Sequence, residues 1–115
     1  MDGVKIRFLN RDEILTHLKK LSKELMASRS DVLEVSLFGS LARGDHAPGS
    51  DADICILLNQ DSRRFIDRIP EFLDYFYRVG LPVEVFPYTI EEVEVMGNLG
   101  FFKTIQKEKI VLDAR

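Results

Sequence analysis

Two carboxylates, Asp51 and Asp53, follow closely on a glycine-serine turn at Gly39-Ser40 in the stretch LFGSLARGDHAPGSDADICILL, residues 37–58. Each half of this stretch suits one half of a single chemistry. Gly39 permits close backbone approach to a ligand, and Ser40 offers a hydroxyl and an amide at the start of a helical turn. Together they can hold the β and γ phosphates of a nucleoside triphosphate. Asp51 and Asp53, at i and i+2 of an extended segment, project to the same side about 6.6 Å apart along the chain, where they can share divalent metal. Burying two like charges side by side is costly, and a bound cation is the natural compensation. A triphosphate beside a metal-binding carboxylate pair points to nucleotidyl transfer.

The surrounding residues fit this reading to different degrees. Arg43 has two uses open to it: reaching the triphosphate, or pinning the loop through Asp45 or a backbone carbonyl, since a guanidinium serves either kind of planar recognition. Gly44 supplies backbone freedom. Ser50 can cap the turn into Asp51 or contact a phosphate. A third carboxylate, Glu84, interrupts the apolar run Pro82-Val83-Glu84-Val85-Phe86. Val83 and Val85 face one way and Glu84 the other, so a strand lying beside Asp53 would complete a triad. Cys55 shares the face of the two aspartates but sits deeper and is expected to be an inert buried thiol. His17, beside the apolar stripe of the first helix, is expected to be a surface histidine.

Seven identities at fixed spacing (Gly39, Ser40, Arg43, Gly44, Ser50, Asp51, Asp53) would arise by accident on the order of once in a million chains of this size. The pattern resembles the minimal nucleotidyltransferase (MNT) domains of the DNA polymerase beta-like superfamily, and the resemblance extends over nearly the whole chain. It implies an α/β (α+β) fold in which a small mixed sheet is flanked by helices. It also implies a Mg2+-dependent enzyme, with two ions held by Asp51, Asp53 and Glu84, and ATP as substrate contacted by Gly39, Ser40, Arg43 and Ser50. Members of the family usually carry aspartate where Glu84 stands. Stand-alone domains of this type are commonly paired with a helical HEPN ribonuclease toxin, which they can adenylylate on tyrosine while acting as antitoxin. The resemblance leaves two rivals: a degenerate nucleotide-binding or toxin-masking module, and a subunit of an antibiotic-modifying nucleotidyltransferase. A homo-oligomer is compatible with each.

Composition limits the alternatives. The 115 residues suit one domain, 1–115, with 45% hydrophobic and 30% charged residues, which argues against disorder. A net charge of −3 argues against a general nucleic-acid-binding surface. One cysteine excludes an internal disulfide framework and a cysteine-rich zinc site. There is no membrane-length apolar run and no signal-peptide core, so a cytoplasmic location is expected.

The scaffold that must position these groups is readable from periodicity. Asn10 and Glu13 resemble a capping box, and Ile14, Leu18, Leu21 and Leu25 continue an amphipathic helix that ends near Ser28. Leu33 to Phe38 reads as a strand feeding the glycine turn, and Ser40 to Ala42 starts a short helix. Asp53 to Leu58 is a continuous apolar run, as expected for a strand covered on both faces. Pro70 to Val79 is expected to be helical with Gly80 as its stop, and Ser62 to Ile69 a separate short helix or a kinked first half, with Arg63 and Arg64 in a solvated start or near the triphosphate. Leu81 to Phe86 reads as a third strand between Pro82 and Pro87. Helices over Ile90 to Met96 and Phe101 to Lys107 and a short edge strand over Ile110 to Leu112 complete the chain. Phe101 and Phe102 cannot both point inward, and one of them is expected to serve a partner.

Overall fold

In the computed structural model, residues 10–47 and 49–115 are described, and the short N-terminal piece expected before Asn10 lies outside them. The first helix, α1 (Arg11–Ser28), is capped by the Asn10 side chain, which accepts from the Glu13 amide at 2.8 Å. It leads into β1 (Val32–Phe38), the single-turn helix α2 (Ser40–Arg43) and β2 (Ala52–Leu58). Then come α3 (Phe65–Phe76) with a 3-10 turn at Tyr77–Val79, β3 (Val83–Thr89), α4 (Ile90–Met96), α5 (Gly100–Glu108) and β4 (Ile110–Ala114).

The strands form a four-stranded mixed sheet in the order β3-β2-β1-β4. β1 is antiparallel to both β2 and β4, whereas β2 and β3 run parallel. One face of the sheet carries Val35, Leu37, Ala52, Ile54, Ile56, Leu58 and Val85 against Leu18 and Leu25 of α1 and Phe72 and Phe76 of α3. Truncating a fully buried leucine such as Leu18 to alanine should cost about 2–5 kcal/mol. On the other face, Phe102 of α5 packs on Tyr88, and Phe101 meets Phe38 and Phe86.

Three expectations change. β2 alternates between buried and half-buried residues: Asp53, Cys55 and Leu57 lie on the α5 side, which is only partly covered. The segment before Pro70 is not a separate helix, since α3 is continuous from Phe65 to Phe76 and Pro70 merely forfeits one amide, whose natural acceptor on Ile66 belongs to an exposed residue. The third strand likewise continues past Pro87 to Thr89, which is allowed because β3 is an edge strand and a proline there can turn its missing donor outward. No helix among the described residues is long and apolar enough to cross a membrane.

Candidate active site

The site is built where β1 ends, β2 and β3 begin and α2 turns. In the register of the sheet, Phe38 pairs with Asp53 and Asp53 pairs with Glu84. Asp53 and Glu84 are therefore neighbours across a parallel strand pair. Asp51 precedes β2 by one residue and is exposed, Asp53 is half-buried, and Glu84 is exposed. The structure brings together the three carboxylates singled out above.

Their electrostatics are unfavourable as they stand. The Asp53 carboxyl titrates above the ordinary aspartate range, first because burial penalises its charged form and then because Glu84 and Asp51 add like charge. Glu108 adds to the same effect and Arg43 opposes it. Among the described residues no three ligating side chains close into a preformed cage. All-oxygen ligands suit Mg2+, which is ordinarily held by one or two carboxylates, its own water and a substrate's phosphates. Asp53 and Glu84, side by side in the register, offer oxygen donors of that kind, and a cation there would relieve the raised Asp53.

Gly39 could be no other residue without rearrangement. Its φ is +78°, and a Cβ added there would lie 2.3 Å from Asp53 Oδ2, so the turn and the carboxylate are packed against each other. α2 has only four residues, too few to persist alone, and it is held from outside. Gly44, at φ +85°, closes its C-terminus by donating to the Ser40 carbonyl. Arg11 donates to the Leu41 and Ala42 carbonyls at 2.8 and 2.9 Å. Glu108, from the end of α5, accepts from the Gly39 amide at 3.0 Å and from Arg43 Nη1 at 3.1 and 3.2 Å.

The other sequence-selected residues are occupied within the chain. Arg43 also donates to Asp45 at 3.0 Å, the loop-pinning use anticipated for it. The Ser50 hydroxyl accepts from the Ala47 amide at 2.9 Å, which ties the loop into Asp51. Arg63 lies beyond the far end of β2, bound to Asp61 and Glu71, and Arg64 pairs with Asp67, so neither is near the carboxylate cluster. A cleft of 730 Å³ at that far end is lined by Asp31, Asp61 and Arg63, but these are ion-paired to their neighbours. Burial pushes the Cys55 thiol up to about 12, in keeping with an inert sulfur.

Arg11 and Glu108 were invisible to motif reading, yet each carries one weak signal. Arg11 is a cation in the first turn of α1 and Glu108 an anion in the last turn of α5, both at the helix end whose dipole disfavours them. A charge at the wrong end of a helix suggests that something outside the helix requires it.

A family model described as a nucleotidyltransferase domain matches residues 12–112 of the chain. Among solved structures, the chain is similar to a protein from Sulfolobus solfataricus assigned as a nucleotidyltransferase, with a TM-score of 0.66 at 24% identity over 91% of this chain and 84% of that one. At that identity the likeness speaks for the fold. A looser likeness is to a toxin-antitoxin crystallised with AMP-PNP, with a TM-score of 0.48 at 15% identity over 93% of this chain and 75% of that one. No curated protein matches the sequence.

Proposed function

Because the chain belongs to the nucleotidyltransferase domain family, we propose that it moves a nucleoside monophosphate, AMP from ATP, onto a hydroxyl in a Mg2+-dependent reaction. The observation that carries this reading is the register pairing of Asp53 with Glu84 beside a Gly39 turn that no side chain could enter. Asp51, Asp53 and Glu84 hold the metal, and when bound it neutralises phosphate charge and makes the acceptor hydroxyl easier to deprotonate. Gly39 and Ser40 orient the β and γ phosphates. Glu84, the carboxylate on the edge strand, takes the acceptor's proton in this reading. The acceptor oxygen bonds to the α-phosphorus as the bond to pyrophosphate breaks, and pyrophosphate leaves from the Gly39-Ser40 side.

The acceptor in this proposal is a tyrosine hydroxyl of a helical HEPN-type toxin, with the chain acting in the cytoplasm as a single-domain antitoxin. An exposed aromatic supports an acceptor presented by another protein: Phe101 is exposed on one side and touches Phe86, two residues along β3 from Glu84. Phe102 is buried against Tyr88, and Phe101, although partly exposed, also rests on the sheet against Phe38 and Phe86, so both aromatics turn towards the sheet, contrary to the expectation that only one could. Incubating the chain with a HEPN protein encoded beside it, ATP and Mg2+ should add the mass of one AMP residue to that protein. A complex without added mass would leave only masking by contact.

That second reading has one specific observation in its favour, the glutamate at position 84. The Glu84→Asp variant separates the two. An active wild type supports the enzyme, whereas activity that appears only in Glu84→Asp identifies a degenerate one.

A further inference from the structure

Glu108 is bound to both ends of the four-residue helix that carries the phosphate turn. One of its oxygens accepts from the amide of Gly39, the residue just before α2, and both oxygens accept from the guanidinium of Arg43, the last residue of α2. The side chain is only 16% exposed and sits at the C-terminal end of α5, where the helix dipole disfavours an anion. It also adds like charge to Asp53. A carboxylate placed against these three penalties is held there by the contacts it makes. Those contacts join the C-terminal helix to a turn 65 to 69 residues earlier in the chain.

Gly39 shows what the contacts accomplish. Its backbone is in the left-handed region, with Asp53 Oδ2 against its Cα side and Glu108 on its N–H. An isolated single-turn helix after such a glycine would sample many conformations, since it has only three backbone hydrogen bonds of its own to set against the entropy of ordering it. Arg11 secures the carbonyls of Leu41 and Ala42, but it reaches neither the Gly39 amide nor Arg43. The β1–β2 ladder brings Phe38 beside Asp53, and Glu108 is the side chain that then holds the next amide, that of Gly39.

We propose that Glu108 is a positioning residue, holding the Gly39–Arg43 turn in its ligand-ready form by binding the Gly39 amide and the Arg43 guanidinium at once. The proposal rests on the nucleotidyl-transfer reading for what the turn holds, but not for the tether itself. Glutamine at 108 keeps an acceptor for the Gly39 amide and loses the charge that draws Arg43. Alanine loses both.

Two measurements on the full chain test this. In the metal-free protein, the Gly39 amide should exchange with solvent roughly tenfold faster in Glu108→Ala than in wild type, with Glu108→Gln close to wild type and the Ile54 and Ile56 amides unchanged in all three. Titration with inorganic tripolyphosphate and Mg2+ should give a Kd about tenfold weaker in Glu108→Ala and within about threefold of wild type in Glu108→Gln, a graded loss that a general loss of stability does not produce. Unchanged Gly39 exchange in Glu108→Ala overturns the proposal. So does tripolyphosphate binding that is equal or tighter in that variant, which would mean that Glu108 competes with the anion. If wild type binds no tripolyphosphate with Mg2+, the nucleotidyl-transfer reading fails, and the exchange measurement still decides the tether.

Discussion

The paired strands β2 and β3 carry carboxylates at both ends and treat them in opposite ways. At the far end, roughly 20 Å from Asp53 at strand rise, four acidic groups, Asp31, Asp61, Glu71 and Glu92, each have an arginine. Arg29 binds Asp31 and Glu71, Arg63 binds Asp61 and Glu71, and the buried Arg68 binds Glu92 while also donating to the Pro87, Asp61 and Arg63 carbonyls. Asp31, Asp61, Glu71 and Glu92 all titrate below the usual carboxylate range, in each case chiefly because an arginine hydrogen-bonds the charged form. At the motif end, Asp53 is pushed the other way by burial, Glu84 and Asp51, and the nearby Arg43 is shared between Asp45 and Glu108. The same strands thus end in a satisfied network on one side and an uncompensated cluster on the other. Uncompensated charge costs stability and persists where a ligand supplies the missing partner. The far end holds the fold, and the motif end is the candidate site.

This contrast can be broken most severely at the motif end. The Asp51→Asn/Asp53→Asn double variant should lose transfer by ~10³-fold or more, since several kcal/mol of charge stabilisation disappears and each 1.36 kcal/mol is tenfold in rate. It should fold at least as stably as wild type. A carboxyl whose folded pKa is raised costs stability as pH rises from the unfolded value through the folded one, so removing its charge returns that stability above about pH 4. A variant that lost both activity and melting temperature would assign these residues to the scaffold.

At the far end the effects should reverse. Arg68→Met leaves Glu92 and three carbonyls short of a donor in a buried setting, and thermal unfolding should register a loss of about 3–5 kcal/mol. ATP binding by the folded fraction at low temperature should remain unchanged.

Glu84 sharpens the comparison within the motif end. Glu84→Gln should reduce transfer by about 10²-fold with little change in ATP affinity, and Glu84→Asp should retain or raise it. Equal activity in wild type and Glu84→Gln would remove Glu84 from the chemistry.

The smallest effect is a pH window. Asp61, held near 2 by Arg63, contributes stability that is complete above its unfolded value of 3.8 and lost as pH falls through its folded value. Asp61→Asn should therefore lower stability at neutral pH by up to about 2 kcal/mol, and the gap from wild type should close between pH 4 and 2. A gap independent of acid would mean that shape, rather than charge, matters at this position.

How much of this was legible beforehand follows from how local each signal is. The Gly39-Ser40 turn, the Asp51 and Asp53 spacing and the face of Glu84 depend on residues close in sequence and on strand alternation, and the structure sets Asp53 and Glu84 side by side. The capped start of α1 at Asn10 is equally local. The prolines misled because their effect depends on sheet position: Pro87 sits in an edge strand, which sequence periodicity does not disclose. Pro70 misled for a related reason, since the packing of Phe72 and Phe76 in the core carries α3 past the lost hydrogen bond. Glu108 and Arg11 could not be found from spacing at all, because their partners lie 30 to 69 residues away and only the folded chain brings them together.

The central claim is that the uncompensated carboxylates at the start of β2 and β3 await a divalent cation arriving with a triphosphate. Calorimetric titration of the wild-type chain with ATP, in the presence and absence of Mg2+, tests it most directly. Like-charge repulsion between the triphosphate and Asp51, Asp53 and Glu84 should make binding at least tenfold tighter with Mg2+ present. Equal affinity in the two titrations would contradict a metal-bridged site.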